Sequence, residues 1–532
     1  MPSPSASEVP HSFDKIDPKT LGWVYRSLGV EPVINCVGVR TNYGASNPSG
    51  EVIAAMTAAA EAFVDLDELA EGVGKKMAAL TGAEWGVVTA GTASGLALAT
   101  AACIAGNNPE LMLKLPDTSG LRNKVVIPAD QRFAYEQAIR VAGGDIVSVS
   151  TAEELLNAIA GGIAMICLLG RKHESSALSL DFVRPVAQAN AVPILINAAG
   201  LSPENPDRLI TRGADLVVYA GGKYIRGPQS TGIVLGKEHL CRAMWWNAAP
   251  HQSFGRLMKV GKEEAIGAVV ALDRWINFQS ARTEREQWLP RLKRISSHFA
   301  AVPGVATKVM TWSGSVTATR LKVSWDPTMI PFDAEALRSA MLERRPRILI
   351  HDFWSTPTSI TLDPVNLSDE EAEIVGEALA TAFTVPQLIA RSVPKTAATV
   401  DISGAWEVDV EFLHGSSRHR FQIEQKNSKI SGVHHTEQSA GAISGEVSGR
   451  AVHFEAAHER TPIWLFYAFD GEVTGSGTIS GTMRMGGAAS EHLGPVFKGQ
   501  YGTAKWHATR VAPQDLRRYV TSPPPASRGR AK

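Results

Sequence analysis

The sequence predicts an α/β protein built on a mainly parallel sheet, continued by a smaller α+β region and closed by an all-β barrel. Three observations predict this. Short apolar runs alternate with amphipathic helical stretches between about residues 21 and 280. A mixed run of strands and helices follows, from 281 to 395. From about 400 to 511 only short alternating strands remain, set off by Ser-Gly and Gly turns.

The elements justify this in order. Residues 1–20 are rich in Ser, Pro and charge and read as a flexible tail. Residues 84–89 form a short strand. It runs into a helix of very small residues through Gly91-Thr92-Ala93-Ser94-Gly95. Small side chains let a ligand approach a helix start, where free N–H groups and the positive dipole end favour an anion. Further strands are expected at 124–128, 145–149, 164–169, 192–197 and 215–219, with helices at 133–142 and 152–160 between them. This βαβ rhythm places ligands at the strand carboxyl ends. A long helix is expected over 263–278. The smaller region then reads as strands at 306–311 and 316–325 and helices at 333–342 and 369–383.

Composition shifts near Pro394. Alternating strands at 405–412, 419–425, 451–456 and 464–469 suggest a small antiparallel barrel. The segments Gly404-Ala405-Trp406 and Trp506-His507-Ala508 are similar to lipocalin-like barrels. Eight of the 14 histidines lie here, yet no spacing matches a zinc pair or knuckle. His434 and His435 are strand neighbours and point to opposite faces. The histidines are therefore expected at the surface or the barrel mouth, with no metal site. Residues 512–532 read as a disordered tail.

The chemistry concentrates in Ala220-Gly221-Gly222-Lys223-Tyr224-Ile225-Arg226-Gly227-Pro228-Gln229-Ser230-Thr231-Gly232. One lysine stands in a glycine-rich loop after the apolar run 216–219. A lysine held on a close-packed turn at a dry strand end loses basicity, so its amine can attack an aldehyde and later take a proton.

The order phosphate turn, polar strand end at Asn197, lysine loop resembles fold-type-I pyridoxal phosphate (PLP) enzymes. Within them the chain is similar to the selenocysteine-synthase-like group, which includes D-glucosaminate-6-phosphate ammonia-lyases. The matching segments are 33–38 with 40–44, 89–95, 215–232 and 255–263, and the likeness covers about residues 21–390. It implies aminotransferase-class-V-like architecture, a PLP cofactor and a homodimer or larger homo-oligomer. It implies Lys223 as the residue that carries PLP and takes the α-proton. Gly91, Thr92, Ala93 and Ser94 would hold the phosphate. A planar group above the ring would come from Gln131, Arg132 or Phe133. Thr231 or Gln229 would add a phosphate contact, and His173 is a candidate acid or substrate contact. Arg40, Tyr43, Arg256, Lys262 and Arg347 are candidate substrate contacts, Arg347 as a carboxylate clamp.

Two positions depart from the group. Asn197 stands where relatives usually have aspartate at the pyridine nitrogen, which implies a weaker electron sink. Ala220 stands where relatives commonly have serine, removing one phosphate donor. Asn197 favours β-elimination over transamination, and the two departures together leave open a protein with little catalysis.

Formal net charge is zero, with 53 basic and 53 acidic residues, so capture of nucleic acid is not indicated. Cys36, Cys103, Cys167 and Cys241 are scattered in or near apolar segments and read as reduced thiols. No apolar run is long enough to span a bilayer, and no secretory leader is evident, so a cytoplasmic protein is expected. The leading function is a PLP-dependent lyase of amino acid metabolism that removes an α-proton and a β-substituent. Its substrate would be an amino acid or amino sugar acid, and its products ammonia and a 2-oxo acid. Racemase or aldolase chemistry, selenium transfer to seryl-tRNA and catalytically weak PLP binding are the alternatives.

Overall fold

A computed structural model describes residues 23–310, 319–389, 396–475, 477–488 and 501–511. The sequence expectations for 1–20, 311–318, 390–395 and 512–532 lie outside the described residues. The chain divides into two compact units, one holding both α/β sheets and the other the barrel.

Strand β1 (Val33–Cys36) is followed by the large sheet. Its strands are β2 (Trp85–Thr89), β3 (Lys124–Pro128), β4 (Asp145–Val149), β5 (Met165–Leu169), β6 (Ile194–Asn197), β7 (Leu216–Ala220) and β8 (Gly232–Gly236). Their order is β2-β8-β7-β6-β5-β3-β4. Strands β3 to β7 pair in parallel, and β8 runs antiparallel to both β2 and β7. Alternate residues bury themselves on opposite faces. Ile166, Leu168, Ile196 and Val217 enter one apolar core. Met165, Cys167, Leu195 and Val218 enter the other. Covering both faces is why these strands read as continuous apolar runs.

The second sheet has β9 (Val305–Met310), β10 (Arg320–Trp325), β11 (Arg347–Thr356) and β12 (Ser359–Leu362). Strand β1, from the stretch expected to belong to the large domain, joins this sheet instead, parallel to β11. Phe299, Trp325, Phe332 and Phe383 form its aromatic core.

The barrel is closed and antiparallel. Its strands are β13 (Gly404–Glu411), β14 (Ser416–Lys426), β15 (Lys429–His435), β16 (Ala440–Ser448), β17 (Ala451–Arg460), β18 (Ile463–Thr474), β19 (Thr478–Ala488) and β20 (Thr503–Arg510), and β13 pairs with β20. Alternating inward residues fill it, among them Trp406, Phe421, Phe454, Phe469 and Trp506. Of the histidines expected at the surface or the barrel mouth, three are not at the surface. His419, His434 and His458 are buried inside, because their strand parity places them on the inward face.

Among the described residues no helix is long and apolar enough to cross a membrane. Cys36, Cys167 and Cys241 are buried, Cys103 is half-buried, and all four are free thiols.

Candidate active site

Strands β2, β6 and β7 deliver the turn after Thr89, Asn197 and the lysine loop to one edge of the large sheet. Gly232 pairs with Thr89 on one side and Ala220 on the other, so the turn and the loop are held two strands apart. A Cβ at Gly232 would lie 2.6 Å from Thr89 Oγ1 and 2.7 Å from the Gly91 carbonyl. Only glycine permits that approach.

Residues Gly91–Ala105 form a helix whose N-cap is Ala90, which offers no side-chain oxygen to the first turn. Gly91 has φ +82°. The helix N-terminus is therefore available to an external acceptor. The hydroxyls are directed elsewhere. Ser94 donates to Ala90 O at 2.7 Å, and Thr92 donates to Tyr219 O at 3.3 Å. The phosphate contact at this turn thus falls to backbone N–H groups. A cavity of about 410 Å³ opens on Ala90, Ala93, Ser94, Tyr135 and Lys259. A second, of about 200 Å³, is bordered by Thr89, Arg256, Lys259 and Lys262. Lys223 lines neither cavity. Strand pairing, not a shared cavity, brings the lysine loop near the turn.

Lys223 Nζ donates to Ala199 O at 2.9 Å. Burial, reinforced by the Arg171 guanidinium, brings its pKa down to about 8. The loop carrying it is tightly fixed. A Cβ on Gly222 would sit 2.4 Å from Gln229 Cα, and one on Gly221 would sit 2.1 Å from Thr231 Oγ1. Ser46 Oγ lies 2.7 Å from Gly222 O and 2.6 Å from Lys223 O. Asn197 is 5% exposed, and its Oδ1 accepts from Ala199 N at 3.2 Å. Asp215 Oδ2 accepts from Ile194 N at 2.8 Å, so it orders the start of β6 and not the amine.

A PLP molecule fits this donor set. It needs an amine that gives up its proton readily, an anion-seeking helix start and a polar group on the strand beside the lysine's, and all three lie at the carboxyl ends of β2, β6 and β7.

Several sequence-predicted residues have other occupations. Gln131 is fully buried; its amide donates to Leu178 O at 3.0 Å and accepts from Leu169 N at 2.9 Å. Arg132 pairs with Glu136, and Phe133 lies in the apolar core. The exposed ring bordering the larger cavity is Tyr135. Thr231 Oγ1 donates to Pro228 O at 2.7 Å. Lys262 Nζ donates to Ala59 O at 2.6 Å. Arg347, at the start of β11, donates Nε to Leu342 O of the helix Ala334–Glu343 at 2.9 Å. His173 is buried, and burial lowers its pKa. The charges facing it are Arg212, Glu174, Asp181 and Arg208. Arg256 is exposed at the smaller cavity, Arg40 is half-buried, and Tyr43 is exposed.

Gln229 Nε2 donates to Thr41 O at 2.9 Å, tying the 40–46 segment to the lysine loop. Sequence reasoning missed Ser46, Tyr135, Arg171 and Lys259. Lys259 lies within the segment that carries the resemblance, and its charge was the available signal. Ser46 and Arg171 act through contacts that no local pattern marks.

No family model matches the chain. D-glucosaminate-6-phosphate ammonia lyase of Salmonella typhimurium is 29% identical over 363 residues, covering 66% of this chain and 95% of that protein. A 5'-C-glycyluridine monooxygenase-decarboxylase of a Streptomyces species is 29% identical over 364 residues, covering 66% and 90%. The solved structure of a D-glucosaminate-6-phosphate ammonia-lyase superposes with a TM-score of 0.60 over 68% of this chain and 99% of that one, at 29% identity.

Proposed function

The chain belongs to the fold-type-I PLP-dependent enzymes, in the group that includes D-glucosaminate-6-phosphate ammonia-lyase, and on that premise we propose that it is a lyase releasing ammonia and a 2-oxo acid from an amino acid or amino sugar acid. The observation that carries the reading is Lys223. It is a half-buried amine with its pKa drawn down to about 8, at the strand-end position of a chain aligning with 95% of the lyase.

PLP bound here supplies the electron-withdrawing ring that acidifies the substrate's α-carbon. The chain's own residues do the rest. Lys223 Nζ is the group that would accept the α-proton of the bound substrate. Ala199 O gives that amine a fixed partner, and Ser46 fixes the backbone it hangs from. The N-terminus of the Gly91–Ala105 helix orients the phosphate, with Arg256 and Lys259 as neutralising cations at the adjoining cavities. Asn197 offers the pyridine nitrogen a hydrogen bond without a counter-charge. That suits elimination, in which a departing β-group carries negative charge away. Tyr135 is the ring we assign to the cofactor face.

A homodimer belongs to the same reading. Phe63, Leu257 and Tyr135 are 101%, 73% and 69% exposed, and the last two line the larger cavity at the phosphate turn. Such side chains are apolar area awaiting a cover.

The test is a panel of D- and L-amino acids and amino sugar acids incubated with PLP-loaded protein and with Lys223→Ala. Ammonia and 2-oxo acid appearing in equal amounts with one substrate, and only with Lys223 present, is the expected result. Racemised or cleaved substrate without ammonia would replace the lyase by a racemase or an aldolase.

A further inference from the structure

The barrel interior is apolar except at one end. That end is the mouth that carries the 412–415, 436–439 and 461–462 turns, and three inward positions there are histidines. His434 and His458 are 0% exposed and His419 is 4% exposed. They form one unbroken chain. Ser417 Oγ lies 2.8 Å from His419 Nε2. His419 Nδ1 lies 3.0 Å from His434 Nε2. His434 Nδ1 lies 2.9 Å from His458 Nε2. His458 Nδ1 lies 2.8 Å from Ser439 Oγ. Tyr467 sets its ring against all three imidazoles at 5.9, 5.0 and 5.1 Å between centroids. A Cβ on Gly441 would stand 2.4 Å from His458 Cδ2, so the glycine makes room for the ring.

The arrangement is linear. His434 spends its two nitrogens on two different neighbours, so the three rings share no common point. Among the described residues no group of three His, Cys, Asp or Glu is placed to hold a metal ion.

Counting protons shows what the chain can accept. Three neutral imidazoles carry three N–H groups, and four links must each have one donor. One serine donates, the other accepts, and every ring adopts the same tautomer. A single extra proton also fits. The ring holding it donates both ways, the rings beyond it align outward, and both serines accept. A second extra proton does not fit, because it sets two N–H groups against each other.

We propose that the barrel mouth is a binding site for one proton, shared along the three imidazoles, and that a second proton opens the mouth. The surroundings bias both steps. Glu437 faces His419 and favours the cation. His435 and Arg460 face His458 and oppose it, while Arg420 faces His435. Tyr467 contributes its ring edge and no charge. Burial opposes charging throughout, bringing His419 and His458 down to about 4 and His434 well below its ordinary value of 6.5. The unfolded chain therefore binds more protons than the folded one between pH 6.5 and 4. The stabilisation is complete above that window and is lost on acidification through it.

The test is 15N NMR of the full chain labelled in the histidine rings, titrated from pH 8 to 3, with hydrogen exchange of the barrel strands followed in parallel. The expected result is a single first step in which the resonances of His419, His434 and His458 move together. Barrel amide protection should then fall about tenfold or more at a second, lower step. In His434→Phe the common step should disappear, leaving His419 and His458 to titrate separately. Three rings titrating independently in the wild type would overturn the proposal, as would protection undiminished at pH 3. So would one equivalent of zinc immobilising all three rings, since that would make the cluster a metal site. If His434→Phe fails to fold, the wild-type titration decides alone.

Discussion

Replacing Lys223 with methionine should make the cofactor-free protein more stable, although it removes the residue on which the proposed chemistry depends. The lysine is half-buried, and its pKa falls from 10.5 to about 8. That displacement of about 2.5 units corresponds to roughly 3 kcal/mol against the charged form. The folded pKa is the lower one, so the cost is fully present below about pH 8 and fades as pH rises toward 10.5. Methionine keeps the apolar stem and discards the ammonium. It also leaves Ala199 O without its 2.9 Å partner, which costs about 1 kcal/mol. The net gain at pH 7 is about 2 kcal/mol, and it should shrink to near zero by about pH 9.5. Urea denaturation of both proteins without PLP, at pH 7 and pH 9.5, measures it. The same free energy sets the reactive fraction of amine. At pH 7 about one lysine in ten is neutral, against roughly one in three thousand for an unperturbed side chain. The rate of PLP incorporation should therefore reach half its plateau near pH 8. A Lys223→Met protein that is less stable at pH 7, or an incorporation profile rising only above pH 10, would refute the reasoning.

Four further expectations follow from the same geometry. Gly222→Ala should cost most of the PLP retention, because its Cβ would stand 2.4 Å from Gln229 Cα. Gly72→Ala, in the helix Leu66–Thr81 with open space around it, should stabilise by about 0.5–1 kcal/mol in the same assay. Tyr219→Phe removes the 2.6 Å bond to buried Asp207 Oδ2 and should cost about 1–3 kcal/mol by denaturation. Asn197→Asp should lower the thermal midpoint of the cofactor-free protein by burying a carboxylate. PLP should then raise that midpoint more than it does in wild type. An equal rise in both would show that position 197 does not meet the pyridine nitrogen.

Local patterns carried much of the architecture. The strands 124–128 and 145–149 and the helix 152–160 coincide with the observed elements at both ends. Their apolar runs and turn residues are contained within the segment itself. The same holds for the phosphate turn and lysine loop, whose glycines mark them directly. What escaped the sequence depends on distant partners. Strand β1 pairs with β11 across some 300 residues of chain, and no local signal announces it. Gln131 looked available to a cofactor, yet its amide closes a gap between Leu169 and Leu178. The histidine enrichment and the opposite faces of His434 and His435 were legible. The meeting of His419, His434 and His458 was not, because it requires the register of four strands and the closure of the barrel.

The most direct measurement is borohydride reduction of PLP-loaded protein, followed by peptide mass spectrometry. The account predicts one reduced PLP adduct per chain, on the peptide containing Lys223, and none in Lys223→Ala. An adduct on another lysine, or a wild-type chain that takes up no PLP at all, would contradict it.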